Sequence, residues 1–117
     1  MLAGAISDKR TLYQVYSKAK IFVLTSRTEG FPLVIPEAIQ NGCYVITTNL
    51  FPAAKEIING EIGIVTGNSE DYLVEAFCKT ISKYNNNEID NKNIRNIANK
   101  TLSWEVLANQ IDEYLRL

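Results

Sequence analysis

The sequence predicts an α/β fold, a parallel sheet flanked by helices, and three observations carry that prediction. Ile21–Leu24 and Tyr44–Thr48 are short runs of apolar and β-branched residues with no polar alternation, the pattern of strands covered on both faces by helices. Segments of helical period lie between and around them. Prolines and glycines separate the two kinds of segment, as alternating strand and helix units require.

Each element follows from local chemistry. A helix is expected over 7–19, where Ser7 and Asp8 suit a first turn and Leu12, Val15, Tyr16 and Ala19 make one inward stripe. The first strand follows at once and ends near Thr25. Residues 25–31 read as a turn. A second helix is expected over 32–41; Pro36 has no amide proton and its ring collides with a helical carbonyl four residues earlier, so this helix begins no earlier than about Leu33. Gly42 ends it. After the second strand come a short helix over 52–58, an Asn59-Gly60 turn and a third strand over 62–65. Ser69 caps a further helix, with Leu73, Val74, Phe77, Cys78 and Ile81 expected on its inner face. Residues 85–99 are rich in Asn and read as a polar surface connection, although Ile89, Ile94 and Ile97 fit a short amphipathic helix inside it. Ser103 caps a last helix carrying Trp104, Leu107, Ile111, Tyr114 and Leu115, with Trp104 expected in the core alongside Tyr13, Tyr16 and Phe22. The apolar first strand is expected at a central position. Three strands leave both sheet edges open, so the chain reads as part of a larger sheet, and the open edge offers a surface for self-association.

Composition removes several functions. The chain has 117 residues, 12 Lys+Arg against 13 Asp+Glu, and no His. A net charge of -1 gives no generic attraction to nucleic acid or anionic lipid. Without His, Ser-His-Asp and Cys-His catalysis are excluded within the chain, and the commonest zinc ligand is missing. Cys43 and Cys78 form no C-x-x-C pair and lie in apolar segments, so both are expected as buried free thiols with no metal between them. No apolar run approaches the roughly 20 residues needed to cross a bilayer, and Met1 to Ile6 is too short for a leader.

In an open parallel sheet, ligands sit beyond the carboxyl ends of the strands, here residues 26–33, 48–55 and 66–69. The first of these stretches is the richest in chemistry. It places Glu29, Gly30, Phe31, Pro32, Leu33 and Val34 before a helix whose first turn contains Glu37. Free amides at a helix start favour an anion by about 0.3–1 kcal/mol, which suits a diphosphate. Carboxylates there would repel that anion, so Glu29 and Glu37 make sense as acceptors from vicinal hydroxyls, at roughly 1.5–3 kcal/mol for each charge-assisted bond. A ligand with hydroxyls on both sides of a diphosphate is a sugar nucleotide.

At these residues the sequence resembles the family-4 retaining glycosyltransferases of group 1, enzymes built from two facing Rossmann-like domains. The E-x7-E motif of their C-terminal domain is matched by Glu29 through Glu37 in an EGFP-L setting. The resemblance continues through the strand before it, the helix after it, the segment from Tyr44 to Ile58, and Ser103-Trp104-Glu105. It implies that residues 1–117 are a partial nucleotide-sugar-binding domain, three βα units followed by C-terminal helices, equivalent to the second half of the donor domain. It further implies that Glu29 is catalytic and lies by the transferred sugar, that Gly30, Phe31, Pro32, Leu33 and Val34 line the sugar and phosphate, and that Glu37 grips the ribose. Pro32 departs from the glycine of other members and supplies no amide. No metal or other cofactor is implied. The acceptor, a glycan or lipid-linked sugar, belongs to an N-terminal domain outside this chain, and the setting implied is cytoplasmic polysaccharide assembly, peripheral to the inner membrane. The chain alone is expected not to turn over. The alternative from another class is a non-catalytic module for nucleotide-sugar binding or self-association. Arg27, Lys55 and Glu56 read as solvated or structural, and the Asn99-Lys100-Thr101 sequon as chance.

Overall fold

A computed structural model describes residues 4–25, 34–49, 54, 58–101 and 104–116. The elements in chain order are α1 (Lys9–Lys18), β1 (Ile21–Leu24), α2 (Val34–Gln40), β2 (Tyr44–Thr48), β3 (Gly63–Thr66), α3 (Glu70–Asn85), α4 (Asn91–Thr101) and α5 (Trp104–Leu115). All strand pairs are parallel, in the order β1-β2-β3, with Ile21 opposite Tyr44 and Val45 opposite Gly63. The expected alternation of strand and helix is therefore the fold. Of the short helix over 52–58, Ala54 is helical and its carbonyl accepts from the Ile58 amide at 2.9 Å, while 50–53 and 55–57 lie outside the described residues.

Strand alternation divides the sheet into two faces. On one face, Phe22, Leu24 and Val45 meet Tyr16, Ile35, Ile39, Ile58, Ile94 and Ala98 in the main core. On the other face, α3 packs over β2 and β3, and the Thr66 hydroxyl donates to the Tyr72 carbonyl at 3.1 Å. Every side chain of β2 is buried because that strand has both a neighbour on each side and a helix layer on each face. Among the described residues β1 is an edge strand and only half-buried, since the chain supplies a neighbour on one side alone.

Other expectations shift for physical reasons. Asp8, not Ser7, caps α1, accepting from the amides of Arg10 and Thr11. In α1 only Tyr16 is buried, whereas Tyr13 and Val15 are exposed. In α3 the expected inner face is wrong. Ala76 and Thr80 are buried, while Val74 (55%), Phe77 (37%) and Ile81 (52%) stay exposed, and Cys78 is an exposed thiol. Small side chains let the helix axis approach the sheet, and the large ones are displaced to its flank. The Asn-rich stretch is not a simple surface connection: Asp90 caps α4 by accepting from the amides of Lys92 and Asn93, and α4 buries Ile94 and Ala98 against α2. The side chain of Trp104 lies outside the described residues.

Asn91 ties this half of the molecule to the sheet. Its amide nitrogen donates to the carbonyls of Gly42 (2.7 Å) and Lys20 (3.2 Å), and its amide oxygen accepts from the Tyr84 hydroxyl at 2.7 Å. Gly42 must be glycine at this junction. Its φ of +87° is left-handed, and a Cβ there would meet Arg95 Nε and the Asn91 carbonyl oxygen at 2.9 Å. One polar side chain thus joins α3, α4 and the starts of β1 and β2. Asn91→Ala is expected to lower unfolding free energy by about 1–3 kcal/mol, because the Gly42 and Lys20 carbonyls lose their donor; urea denaturation of wild type and variant checks it.

Cys43 is fully buried and its thiol donates to the carbonyl oxygens of Tyr16 (3.3 Å) and Ala19 (3.4 Å). Burial pushes the Cys43 thiol above its ordinary 9.0, with Arg95 opposing, and burial likewise raises the Tyr16 and Tyr84 phenols above 10.0. The folded chain holds these protons at a pH where the unfolded chain releases them. Stability is therefore complete below about pH 9 and falls as the pH rises through the folded values. Urea midpoints measured from pH 7 to pH 10.5 should decline from about pH 9 upward, and Cys43→Ala should flatten the first part of that decline.

Candidate functional site

The three parallel strands point their carboxyl ends the same way, at Leu24, Thr48 and Thr66, and the chain leaves each strand there to enter a loop. The opposite end of the sheet is closed by the Asn91 and Tyr84 bonds to Lys20 and Gly42. In open parallel sheets ligands bind at the carboxyl end.

Helix α2 starts at that end. Its apolar residues Ile35, Pro36, Ala38 and Ile39 are buried, which fixes the helix against the core and leaves Val34 exposed and Glu37 half-buried in the first turn. Pro36 sits in that same turn, where its missing N–H removes no internal helix bond. The carboxyl end of α2 is closed locally: Asn41 donates through its side-chain amide to the Glu37 carbonyl (2.8 Å), and Gly42 donates to the Ile39 carbonyl (2.9 Å). The Glu37 backbone is therefore held by Asn41. The Glu37 carboxylate is near enough to Tyr16 to help hold the phenol in its neutral form, after burial the next cause of the shift.

Of the residues expected at the site, the structure places Val34 and Glu37 on α2. Glu29, Gly30, Phe31, Pro32 and Leu33 lie outside the described residues, as do Arg27, Lys55 and Glu56. Among the described residues no group of three or more His, Cys, Asp or Glu side chains is placed to hold a metal ion, and no helix is long and apolar enough to cross a membrane.

The described residues form a cavity at the third of the strand ends expected to take ligands, residues 66–69. Its volume is about 310 Å³, and it opens beside the end of β3, between Val65, Thr66 and Gly67 and the α3 side chains Tyr72, Glu75 and Lys79. It lies under α3, on the sheet face away from α2. Glu75 and Lys79 pair with each other at 2.9 Å and are both exposed, so the charges lining it are already matched and solvated. Its only sequence signal is Gly67, where a Cβ would meet the Tyr72 ring at 2.7 Å.

Comparison with known proteins gives the family. Residues 1–116 match the family model for glycosyl transferases group 1. The capsular polysaccharide biosynthesis glycosyltransferase CapM of Staphylococcus aureus is 28% identical over 109 residues, covering 86% of this chain and 28% of that protein. Among solved structures, sucrose-phosphate synthase from Thermosynechococcus elongatus superposes with a TM-score of 0.78 at 26% identity, over 99% of this chain and 29% of that one. The chain spans less than a third of the length of both relatives. A parallel sheet flanked by helices, in a chain matched along nearly its whole length by one family, makes this chain a member of the group 1 glycosyltransferases.

Proposed function

We propose that the chain is the donor-binding part of a retaining glycosyltransferase. It moves a sugar from a nucleotide-diphosphate donor to a glycan or lipid-linked acceptor. The acceptor domain and the remaining donor contacts come from further polypeptide. The observation that carries the reading is the position of Glu37: half-buried in the first turn of α2, beside the open end of a parallel sheet, in a chain of this family.

The roles follow from charge and geometry. A carboxylate at a helix start repels a diphosphate but accepts well from a vicinal diol, so Glu37 holds the ribose hydroxyls while the diphosphate lies against the amides opening α2. Glu29 takes the corresponding place by the transferred sugar. Gly30 permits close backbone approach, and Phe31, Pro32, Leu33 and Val34 line the path between the two acids. The resemblance implies that the departing diphosphate helps to deprotonate the acceptor and that retention needs no protein nucleophile, so no His is demanded of this chain. The capsular relative supports a setting in polysaccharide assembly, which we place at the cytoplasmic face of a membrane.

The test is calorimetric titration of the complete enzyme with uridine, guanosine and adenosine diphosphates. Glu37→Ala is expected to raise Kd for the preferred nucleotide by about 10-fold or more, the loss of a charge-assisted hydrogen bond of roughly 1.5–3 kcal/mol. Glu29→Ala is expected to lower kcat/KM by a similar factor with the nucleotide Kd unchanged. Unaltered affinity in Glu37→Ala would remove the ribose role, and nucleotide binding without any transfer by the complete enzyme would favour the non-catalytic module.

A further inference from the structure

We propose that the cavity between the end of β3 and α3 is a second carbohydrate site, which holds a neutral pyranose unit of the glycan away from the centre of transfer. The proposal rests on the glycosyltransferase reading and adds a contact with the glycan that the donor groups of α2 do not supply.

One glycine and one aromatic ring shape the cavity. The Tyr72 ring is seated against Gly67, where a Cβ would come within 2.7 Å of it, and yet Tyr72 stays 58% exposed. The ring is thus held by the backbone while it lines the hollow. A fixed aromatic face suits the C–H face of a pyranose, because the electron-rich π surface attracts the positive edge of the C–H groups. Ile64 and Ala76 extend the apolar wall.

The polar groups around that wall suit hydroxyls. Glu75 and Lys79 stand 2.9 Å apart at the rim, an acceptor and a donor side by side. A vicinal diol matches them, since one hydroxyl donates to the carboxylate while the neighbouring oxygen accepts from the ammonium. Strand β3 adds backbone groups. The Val45 amide donates to the Ile62 carbonyl and the Asn49 amide to the Thr66 carbonyl, so Ile62, Ile64 and Thr66 face β2, and Val65 and Gly67 turn their amides and carbonyls outward. Among the described residues no strand pairs with that outer edge. The Thr66 hydroxyl gives its proton to the Tyr72 carbonyl, which fastens the two walls together and leaves the Thr66 oxygen as an acceptor.

Charge and size select the class of ligand. The Glu75–Lys79 pair is neutral as a whole, and the first turn of α3 adds Glu70 and Asp71, so an anion there meets net negative charge. Nucleoside diphosphates and uronates are disfavoured for that reason. The volume, about 310 Å³, is at the lower end of small-molecule sites, which span about 300–1,000 Å³, so the cavity takes a short piece of a glycan. A neutral ligand with hydroxyls along its edge and C–H groups on its face is a pyranose.

Saturation-transfer difference NMR on the complete enzyme tests this, with the methyl pyranosides of glucose, galactose and mannose as probes. At least one should show saturation transfer that survives both an excess of the preferred nucleoside diphosphate and the Glu37→Ala change, and its Kd should rise about tenfold in Tyr72→Ala. Tyr72→Phe keeps the ring, should bind within about twofold of wild type, and controls for folding. Sodium glucuronate should bind about tenfold more weakly than the best neutral probe. No transfer to any of the three probes overturns the proposal, as does transfer that Tyr72→Ala leaves unchanged or glucuronate binding as tight as theirs. Nucleotide titration separates the two readings: Tyr72-dependent sugar binding without nucleotide binding keeps the cavity and discards the donor role, and nucleotide binding without Tyr72-dependent sugar binding does the reverse.

Discussion

The structure depends on the burial of β2 from four sides. Tyr44–Thr48 has β1 and β3 as lateral neighbours, the main core on one face and α3 on the other, and none of its side chains reaches solvent. A strand in that position must be apolar or internally satisfied throughout. Its two threonines comply: both are buried, and the Thr47 hydroxyl donates to the Thr48 carbonyl at 3.2 Å. Gly63 follows from the same constraint, since a side chain there would drive into the Val45 carbonyl and the Ile58 methyl. β3 lies close to β2 because that position carries nothing.

The two ends of the sheet are built for different tasks. At the amino end, Asn91, Tyr84 and Gly42 cross-link α3, α4 and two strand starts with bonds of 2.7–3.2 Å. Rigidity is concentrated there. At the carboxyl end, the strands deliver their chains to loops, and α2 presents its first turn. Pro36 serves both purposes, because its ring is buried in the core while its lack of an N–H costs nothing in a first turn. The arrangement leaves Glu37 standing on a fixed backbone at the end of the sheet where a ligand has access.

The sequence reading of the site is local in its chemistry, and of its residues the structure describes Val34 and Glu37. An acid, a glycine and a proline before a helix start, and a second acid in that helix, specify amides and carboxylates whose relation follows from the pitch of a helix and the length of a turn. Glu37 and Val34 accordingly stand on α2 as the spacing requires. The cavity beside β3 was legible only in its rim at Thr66 and Gly67, because Val65 and Lys79 come together through the packing of α3 on the sheet, and no local pattern encodes that approach.

What the amino-acid order determined by itself was the kind of most elements: three apolar strands, their parallel direction, and helices bounded by Asp8, Ser69 and Gly42. Caps, prolines and hydrophobic period act within a few residues, so they can be read along the chain. Tertiary structure alone decided which side of each element meets another. The apolar stripe of α3 looked inward by periodicity, yet Ala76 and Thr80 touch the sheet, because the distance at which a helix settles on a strand pair is set by both surfaces together. By the same logic Ile21–Leu24 has the composition of an interior strand and the position of an edge, since strand order depends on how many neighbours the polypeptide supplies.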